Sequence, residues 1–135
     1  GNHQLGTSSS QTICTAGCAM TSVAMGLASY KEKISGDIVT PKNLNNWLDN
    51  HNGYADSDLI VWSAVDALGK VHFKEEVSSL SASNLAKFVN KCYPVIVNVR
   101  SGTHWVLVTG TTSKKDVFTV NDPYFSDTTY SLSDM

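Results

Sequence analysis

Cys18 stands at the predicted start of a helix, directly after Gly17. A cysteine attacks as a thiolate rather than as a thiol, and the unpaired N–H groups and positive dipole end of a helix start favour an anion there. The same N–H groups can hold the oxyanion of a tetrahedral intermediate. Cys18 is therefore the candidate nucleophile, and the alternative explanation is a small side chain buried for packing alone.

His104 is the candidate base, and the predicted strand register supplies it with a partner. If the strands predicted at residues 105–109 and 117–120 form a hairpin, positions whose numbers sum to about 226 lie opposite each other. His104 then faces Asp122 on the same side of the sheet, where a carboxylate would fix the imidazole tautomer and stabilise its protonated form. A slip of one residue would bring Asn121 nearer instead, and asparagine can also orient a histidine.

These residues also have purely structural explanations. Asp122 precedes Pro123, and an Asp-Pro pair often opens a turn. In that case His104 would only cap a strand at the surface. Trp105 follows His104 on the opposite face of its strand and is a candidate for covering part of the site, although core packing is the ordinary use of a tryptophan.

The remainder of the chain predicts the elements that would hold these side chains, with helices first. In the helix from Cys18, apolar residues recur at helical spacing, namely Met20, Val23, Ala24 and Leu27. Three more helices are predicted, from Pro41 with Thr40 as its cap to about Asn52, from Ser57 or Asp58 to Gly69, and from Ala82 to Lys91.

Strands are predicted in the last third of the chain. Runs of β-branched and aromatic residues at 95–99, 105–109 and 117–120 indicate an antiparallel meander. A further short strand is predicted over Lys70–Val77. We therefore expect one α+β domain over residues 1–135, with N-terminal helices packed on a C-terminal antiparallel β-sheet.

The composition is that of a globular domain and argues against several kinds of partner. The 135 residues are 41% hydrophobic and 16% charged, and the net charge is −2. Because the basic residues are scattered, no nucleic-acid partner is expected, and no apolar run is long enough to cross a bilayer. The chain begins with Gly1 in a loop-like segment, so we expect it to be trimmed at its N-terminus. The oligomeric state is left open.

No metal site and no cofactor is expected. Neither CxxC nor HExxH occurs, and the glycines form no phosphate-binding loop. Three cysteines are too few for a disulfide framework, so at least one is expected to be a free thiol. A bridge between Cys14 and Cys92 is left open.

Three segments occur in an order that resembles one group of enzymes, and they are GCAMTSVAMGLASY, GTHWVLVTG and FTVNDPY. The chain is similar to the papain-like cysteine peptidases related to the bacteriocin-leader-processing peptidases, the peptidase family C thirty-nine-like group. The resemblance runs from Leu5 to about Leu132. It implies a papain-like peptidase fold, with Cys18 as nucleophile, His104 as general base and acid, and Asp122 as the residue that orients His104.

The chain also departs from the pattern of this group in two places. Ala19 and Met20 stand where the group usually has Gly-Pro. The group places an oxyanion glutamine ahead of the nucleophile, and Gln4 and Gln11 are the nearby candidates here. The loss of one oxyanion donor typically costs about a hundredfold or more in rate.

Two functions follow from the residues and the resemblance. The first is a cysteine hydrolase that cleaves peptide or amide bonds in a peptide or protein substrate through a Cys-His-Asp triad and an acyl-enzyme. The second, motivated by the departures, is a catalytically weak or inactive papain-like binding module. Covalent labelling of one cysteine by an electrophile would favour the enzyme. The resemblance also implies an extracytoplasmic or secreted location.

Overall fold

The chain forms two compact units in the computed structural model, which describes residues 2–69 and 71–135. The first unit runs up to Glu75 and the second from Glu76 to Met135. The first is mainly helical and the second contains a four-stranded sheet, so the predicted α+β class is confirmed. Among the described residues, no helix is both long and apolar enough to cross a bilayer. A single domain over residues 1–135 stays a prediction.

Two helices that pack against each other dominate the first unit, α2 (Cys18–Ser29) and α3 (Pro41–Asn50). A short helix, α1 (Ile13–Ala16), precedes them, and a 3₁₀ helix at Trp62–Leu68 follows them. Two antiparallel ribbons of two strands each complete this unit, β1 (Lys33–Ile34) with β2 (Asp37–Ile38) and β3 (Tyr54–Ala55) with β4 (Leu59–Ile60).

Local sequence explains the start of α3. The Thr40 side chain accepts the backbone N–H of Asn43, and the Asn43 side chain accepts the N–H of Thr40, while Pro41 occupies the first turn. The helices predicted from Cys18 and from Pro41 are both confirmed. Their buried apolar side chains are Met20, Val23, Ala24, Leu27, Leu44 and Leu48.

The third predicted helix begins later than expected and is of a different kind. The sequence predicts a start at residues 57–58, but Leu59 lies in β4 and the helix is a 3₁₀ helix that begins at Trp62. Ser57 has a φ of 75°, so the chain turns there instead of entering a helix. The predicted end is confirmed, because Gly69 caps the helix in the left-handed conformation with a φ of 76°.

The second unit contains one α-helix and a four-stranded antiparallel sheet. Helix α4 (Ala82–Asn90) begins at Ser81, whose side chain accepts the N–H of Asn84. The strands lie in the order of the chain, β5 (Val95–Val99), β6 (His104–Thr111), β7 (Val117–Asn121) and β8 (Thr129–Ser131). The fourth predicted helix and the predicted meander are confirmed, and β8 is a strand that was not predicted.

One face of this sheet forms a core with α4 and places His104 at its margin. The buried members of the core are Ala82, Leu85, Val97, Val99, Val106, Val108, Phe118, Val120 and Tyr130. Side chains alternate along a strand, so His104 lies on the same face of β6 as Val106 and Val108. The imidazole is therefore buried where the strand begins.

The strand predicted over Lys70–Val77 is wrong for the part that the structure describes. Residues 71–77 have no regular secondary structure, and Lys70 lies outside the described residues. Val77 is 54% exposed, and among the described residues no strand pairs with this segment.

Candidate active site

His104 and Asp122 form the direct hydrogen bond that the sequence predicts. The distance from His104 Nε2 to Asp122 Oδ1 is 2.7 Å. The side chain of His104 is 7% exposed and that of Asp122 is 0% exposed, so water does not screen the pair. Asn121, the alternative orienting residue, ends β7 and is exposed. A buried carboxylate in this position orients the imidazole and selects its tautomer.

The contact arises from a different strand register than the predicted one. The structure pairs Leu107 with Asn121, whereas the predicted register would place Thr119 opposite Leu107. Side chains alternate with a period of two, so this shift keeps Asp122 on the same face as His104 and makes it a diagonal neighbour. Direct opposition of the two residues is wrong, and their shared face is confirmed.

A β-bulge reduces the shift from three residues near the turn to two residues at the level of Leu107. On one side of it Val108 pairs with Val120, and on the other side Gly110 pairs with Thr119, so Thr109 is an extra residue in β6. Counting outward from a regular hairpin turn cannot include such a residue.

The Asp122 carboxylate accepts four hydrogen bonds. Besides His104, the backbone N–H groups of Tyr124 and Phe125 donate to Oδ1 at 2.9 and 2.8 Å. The hydroxyl of Tyr130 donates to Oδ2 at 3.0 Å. Burial of the carboxyl opposes its ionisation, but the four donors outweigh burial and hold the pKa of Asp122 below its ordinary value. Asp122 is therefore an anion at neutral pH.

Asp122 also opens a turn, which was the alternative explanation for this residue. Bonds from an aspartate side chain to N–H groups two and three residues further on are typical of an Asx turn. Asp122 Oδ1 thus accepts both the hydrogen bonds of the turn and the hydrogen bond of His104. A role in the turn and a role in orienting His104 are therefore compatible.

The imidazole of His104 is fixed in one orientation. Its ring packs edge-on against Phe125, with ring centroids 5.1 Å apart and an interplanar angle of 87°. Because an ionised carboxylate only accepts hydrogen bonds, Nε2 carries the proton and Nδ1 carries the free lone pair. A histidine in this tautomer can take a proton from a thiol through Nδ1.

Cys18 is the first residue of α2, as predicted, and it is half-buried. Gly17 permits this arrangement, because a Cβ at residue 17 would lie 2.5 Å from the carbonyl oxygen of Ile13. The Ile13 carbonyl oxygen also accepts the N–H of Gly17 at 3.0 Å. Gly17 is the single residue between α1 and α2. The first N–H groups of α2 have no acceptor within the helix and favour an anion at Cys18.

The predicted catalytic residues are divided between the two units. Cys18 lies in the first, and His104 and Asp122 lie in the second. The helix start at Cys18 and the His104–Asp122 contact are confirmed as structure. The catalytic roles of all three residues stay predictions.

Gln4 and Gln11, the candidates for the oxyanion glutamine, both form bonds within the N-terminal segment. Gln4 Nε2 donates to the carbonyl oxygen of Ser8 at 2.5 Å. Gln11 Oε1 accepts the hydroxyl of Thr15 at 3.0 Å, which leaves the amide hydrogens of Gln11 for other acceptors. The oxyanion role of either glutamine stays a prediction.

Asn45 of α3 forms hydrogen bonds with the segment that contains Gln4. Asn45 is buried, with only 4% of the residue exposed. Its Oδ1 accepts the N–H of Gly6 at 2.9 Å and the hydroxyl of Tyr54 at 2.7 Å, and its Nδ2 donates to the carbonyl oxygen of Gln4 at 2.9 Å. All these contacts lie within the first unit.

Trp105 is half-buried in β6, beside His104. It pairs with Asn98 of β5, and the alternation of the strand places its side chain on the face opposite His104, as predicted. A role for Trp105 in covering the site stays a prediction.

The three cysteines are free thiols, and Cys14 and Cys92 are exposed. A bridge between Cys14 and Cys92, which the sequence left open, is therefore not formed. Within the described residues, no group of three or more His, Cys, Asp or Glu side chains could hold a metal ion.

Sequence reasoning missed Tyr130, which contacts Asp122, and Arg100, which contacts Tyr130. Tyr130 lies in β8, opposite Phe118, and Arg100 follows β5. Arg100 Nε donates to the hydroxyl of Tyr130 at 3.0 Å. The only local signal was a tyrosine between polar residues at 129–131, which is too short a run to predict a strand.

A protein-family model matches the chain. Residues 3–134, nearly the whole chain, match the Peptidase_C39 like family. No curated protein and no solved structure matches the chain. The resemblance inferred from the sequence is thereby confirmed, and the mixed helix and sheet structure is consistent with a papain-like peptidase fold.

Proposed function

The chain belongs to the Peptidase_C39 like family, and on this premise we propose that it is a cysteine hydrolase that cleaves peptide or amide bonds. Cys18 is the nucleophile, His104 is the general base and acid, and Asp122 orients His104. The substrate is a peptide or a protein.

The proposed reaction has two halves. Nδ1 of His104 takes the proton of the Cys18 thiol, and the thiolate attacks the carbonyl carbon of the substrate. The N–H groups at the start of α2 stabilise the oxyanion. His104 then protonates the leaving amine, the C–N bond breaks and an acyl-enzyme remains. Water that gives a proton to His104 attacks the thioester, which releases the acid and restores the thiol.

The observation that carries the proposal is the buried contact of 2.7 Å between His104 Nε2 and Asp122 Oδ1. The turn after Asp122 needs only the two backbone bonds from Tyr124 and Phe125. A third donor on the same oxygen adds nothing to the turn. Its effect is on the imidazole, whose tautomer and orientation it controls, and this supports a chemical role for His104.

Alkylation by iodoacetamide tests the thiol–imidazole pair. The rate at each cysteine is measured by mass spectrometry between about pH 5 and about pH 9 in the wild type, in His104→Ala and in His72→Ala. His72 is an exposed histidine in the segment without regular structure and is the matched control. Cys14 and Cys92 are exposed and serve as internal references.

We expect Cys18 to react fastest at about pH 6, although it is the least exposed of the three cysteines. This advantage should vanish in His104→Ala and persist in His72→Ala. If Cys18 is alkylated at the same rate as Cys14 and Cys92 at every pH, and that rate is unchanged in His104→Ala, the proposed function is wrong. If the pair is present, a peptide library with Cys18→Ala as the blank identifies the bond that is cleaved.

A binding module on the same scaffold is the second candidate. It is favoured by Gln4, whose amide already donates to Ser8, and by Ala19 and Met20 in place of the usual Gly-Pro. In such a module the His104–Asp122 bond would persist for structural reasons while Cys18 behaved as an ordinary thiol. The alkylation experiment separates the two functions.

A further inference from the structure

The carboxylate of Asp122 is held by one group that the proposed reaction does not use, the hydroxyl of Tyr130. Tyr130 is 8% exposed, and its ring packs in the core of the second unit. Its hydroxyl lies 3.0 Å from Asp122 Oδ2 and 3.2 Å from Asp127 Oδ2. A phenol has one proton, so only one of the two carboxylates receives it at a time.

Asp122 gains more from this proton than Asp127 does. The side chain of Asp127 is 44% exposed, and Arg100 Nη2 lies 2.5 Å from its Oδ2. The side chain of Asp122 is 0% exposed, so water cannot replace a missing donor at its Oδ2. An unsatisfied buried acceptor is more costly than a solvated one, and the proton of Tyr130 therefore belongs with Asp122.

Arg100 sets the direction of this hydroxyl. A guanidinium only donates hydrogen bonds, so the bond of 3.0 Å from Arg100 Nε occupies a lone pair on the Tyr130 oxygen and leaves the proton for a carboxylate. Burial raises the pKa of Tyr130, which keeps that proton in place at neutral pH. Arg100 is itself fixed, because its guanidinium carbon lies 3.8 Å from the centroid of the Phe125 ring.

We propose that Tyr130 is a positioning residue for the His104–Asp122 pair and that Arg100 holds Tyr130 in place. With Oδ2 bonded to Tyr130, the carboxylate cannot rotate, and Oδ1 stays where it accepts the Nε2–H of His104. The geometry concerns the second unit alone. Its consequence for Cys18 rests on the proposed function.

The test removes one hydroxyl with Tyr130→Phe and compares it with Tyr54→Phe. Tyr54 is a matched control, because its hydroxyl donates to Asn45 at 2.7 Å within the first unit, whereas the His104–Asp122 pair belongs to the second unit. The first measurement is the exchange rate of the His104 Nε2 proton by NMR. The second is the rate of Cys18 alkylation at about pH 6.

We expect Tyr130→Phe to raise the exchange rate and to lower Cys18 alkylation, each by about tenfold. Tyr54→Phe should change neither. Arg100→Gln alters an exposed side chain and should produce smaller changes in the same directions, so it decides the matter if Tyr130→Phe does not fold. Unchanged proton exchange in the folded Tyr130→Phe variant would overturn the positioning role.

The two measurements also separate this inference from the proposed function. If proton exchange is faster in Tyr130→Phe but the rate of Cys18 alkylation is unchanged in His104→Ala, the positioning role stands and the proposed hydrolase is wrong. If Cys18 alkylation depends on His104 while the exchange rate of the His104 Nε2 proton is unchanged in Tyr130→Phe, the hydrolase stands and the positioning role is overturned.

Discussion

Asp122 Oδ1 accepts the Nε2 proton of His104 at 2.7 Å, although the two residues are diagonal neighbours across β6 and β7. The contact is possible because Asp122 lies just beyond the end of β7 at Asn121, where the chain leaves the ladder. The backbone bonds from Tyr124 and Phe125 then hold the carboxylate in place. The pair therefore depends on the turn as well as on the strands.

Replacement of Asp122 by asparagine should reduce the reactivity of Cys18 and any hydrolytic rate by about a hundredfold or more. The amide keeps the shape of the carboxylate but has no charge to stabilise a protonated His104. Alkylation kinetics and, with a substrate, kcat/KM measure the loss. Asp116→Asn makes the same change at an exposed position before β7 and should leave both unchanged. Equal values for the two variants would contradict the role of Asp122.

The stability of the fold should depend on pH through Asp122. Its pKa lies below the ordinary value in the folded state, so the ionised carboxylate stabilises the fold above about pH 3.9. That contribution is lost as the pH falls through the lower pKa of the folded state. In urea unfolding at about pH 7 and about pH 3, the wild type should lose more stability than Asp122→Asn. Parallel losses in both proteins would argue against the shift.

Replacement of Gly17 by alanine should destabilise the start of α2. The new Cβ would lie 2.5 Å from the Ile13 carbonyl oxygen, so the chain must shift, at a cost of about 1–3 kcal/mol. Cys18 moves with it and should lose its alkylation advantage. Chemical denaturation and alkylation measure the two effects. Ala16→Ser changes the exposed preceding residue and should be neutral in both.

Replacement of Asn45 by alanine should cost about 2–3 kcal/mol of unfolding free energy, because one buried and two partly buried hydrogen-bonding groups lose their partner. The neighbouring Asn46 is exposed on the same helix, and Asn46→Ala should change stability by less than about 0.5 kcal/mol. Urea unfolding compares the two variants. Similar midpoints would show that Asn45 does not fasten the N-terminal segment.

Features with a local signal were predictable from the sequence. The Thr40–Pro41 pair marks the start of α3, and Gly69 marks the end of the 3₁₀ helix, because capping and left-handed termination each depend on one or two residues. The shared face of His104 and Asp122 was predicted as well, although it depends on the bulge. The register is shifted by three residues near the turn and by two beyond Thr109, and only an even shift leaves the faces unchanged.

Features that depend on distant contacts were not predictable. The register differs from the predicted one already at the turn, and it changes again at the extra residue Thr109. Gly110 is the local sign of the bulge, but a glycine inside a strand does not fix the register. Strand β8 has three residues, and Tyr130 acquires its importance only through Asp122 and Arg100, which the fold brings to it. Conversely, residues 71–77 show a strand-like composition but form no strand, because composition does not supply a partner.

The donors to the Asp122 carboxylate come from the start of β6, from the following turn and from β8. Selection for a stable fold therefore acts on this residue independently of selection for activity. A descendant without hydrolytic activity would still be destabilised by the loss of Asp122, whereas the half-buried Cys18 thiol forms no hydrogen bond within the described part of the chain. Among relatives, a cysteine at the position of Cys18 is thus a better indicator of an active enzyme than an aspartate at the position of Asp122. We expect the aspartate to be retained longer than the cysteine in relatives that bind a partner without hydrolysing it.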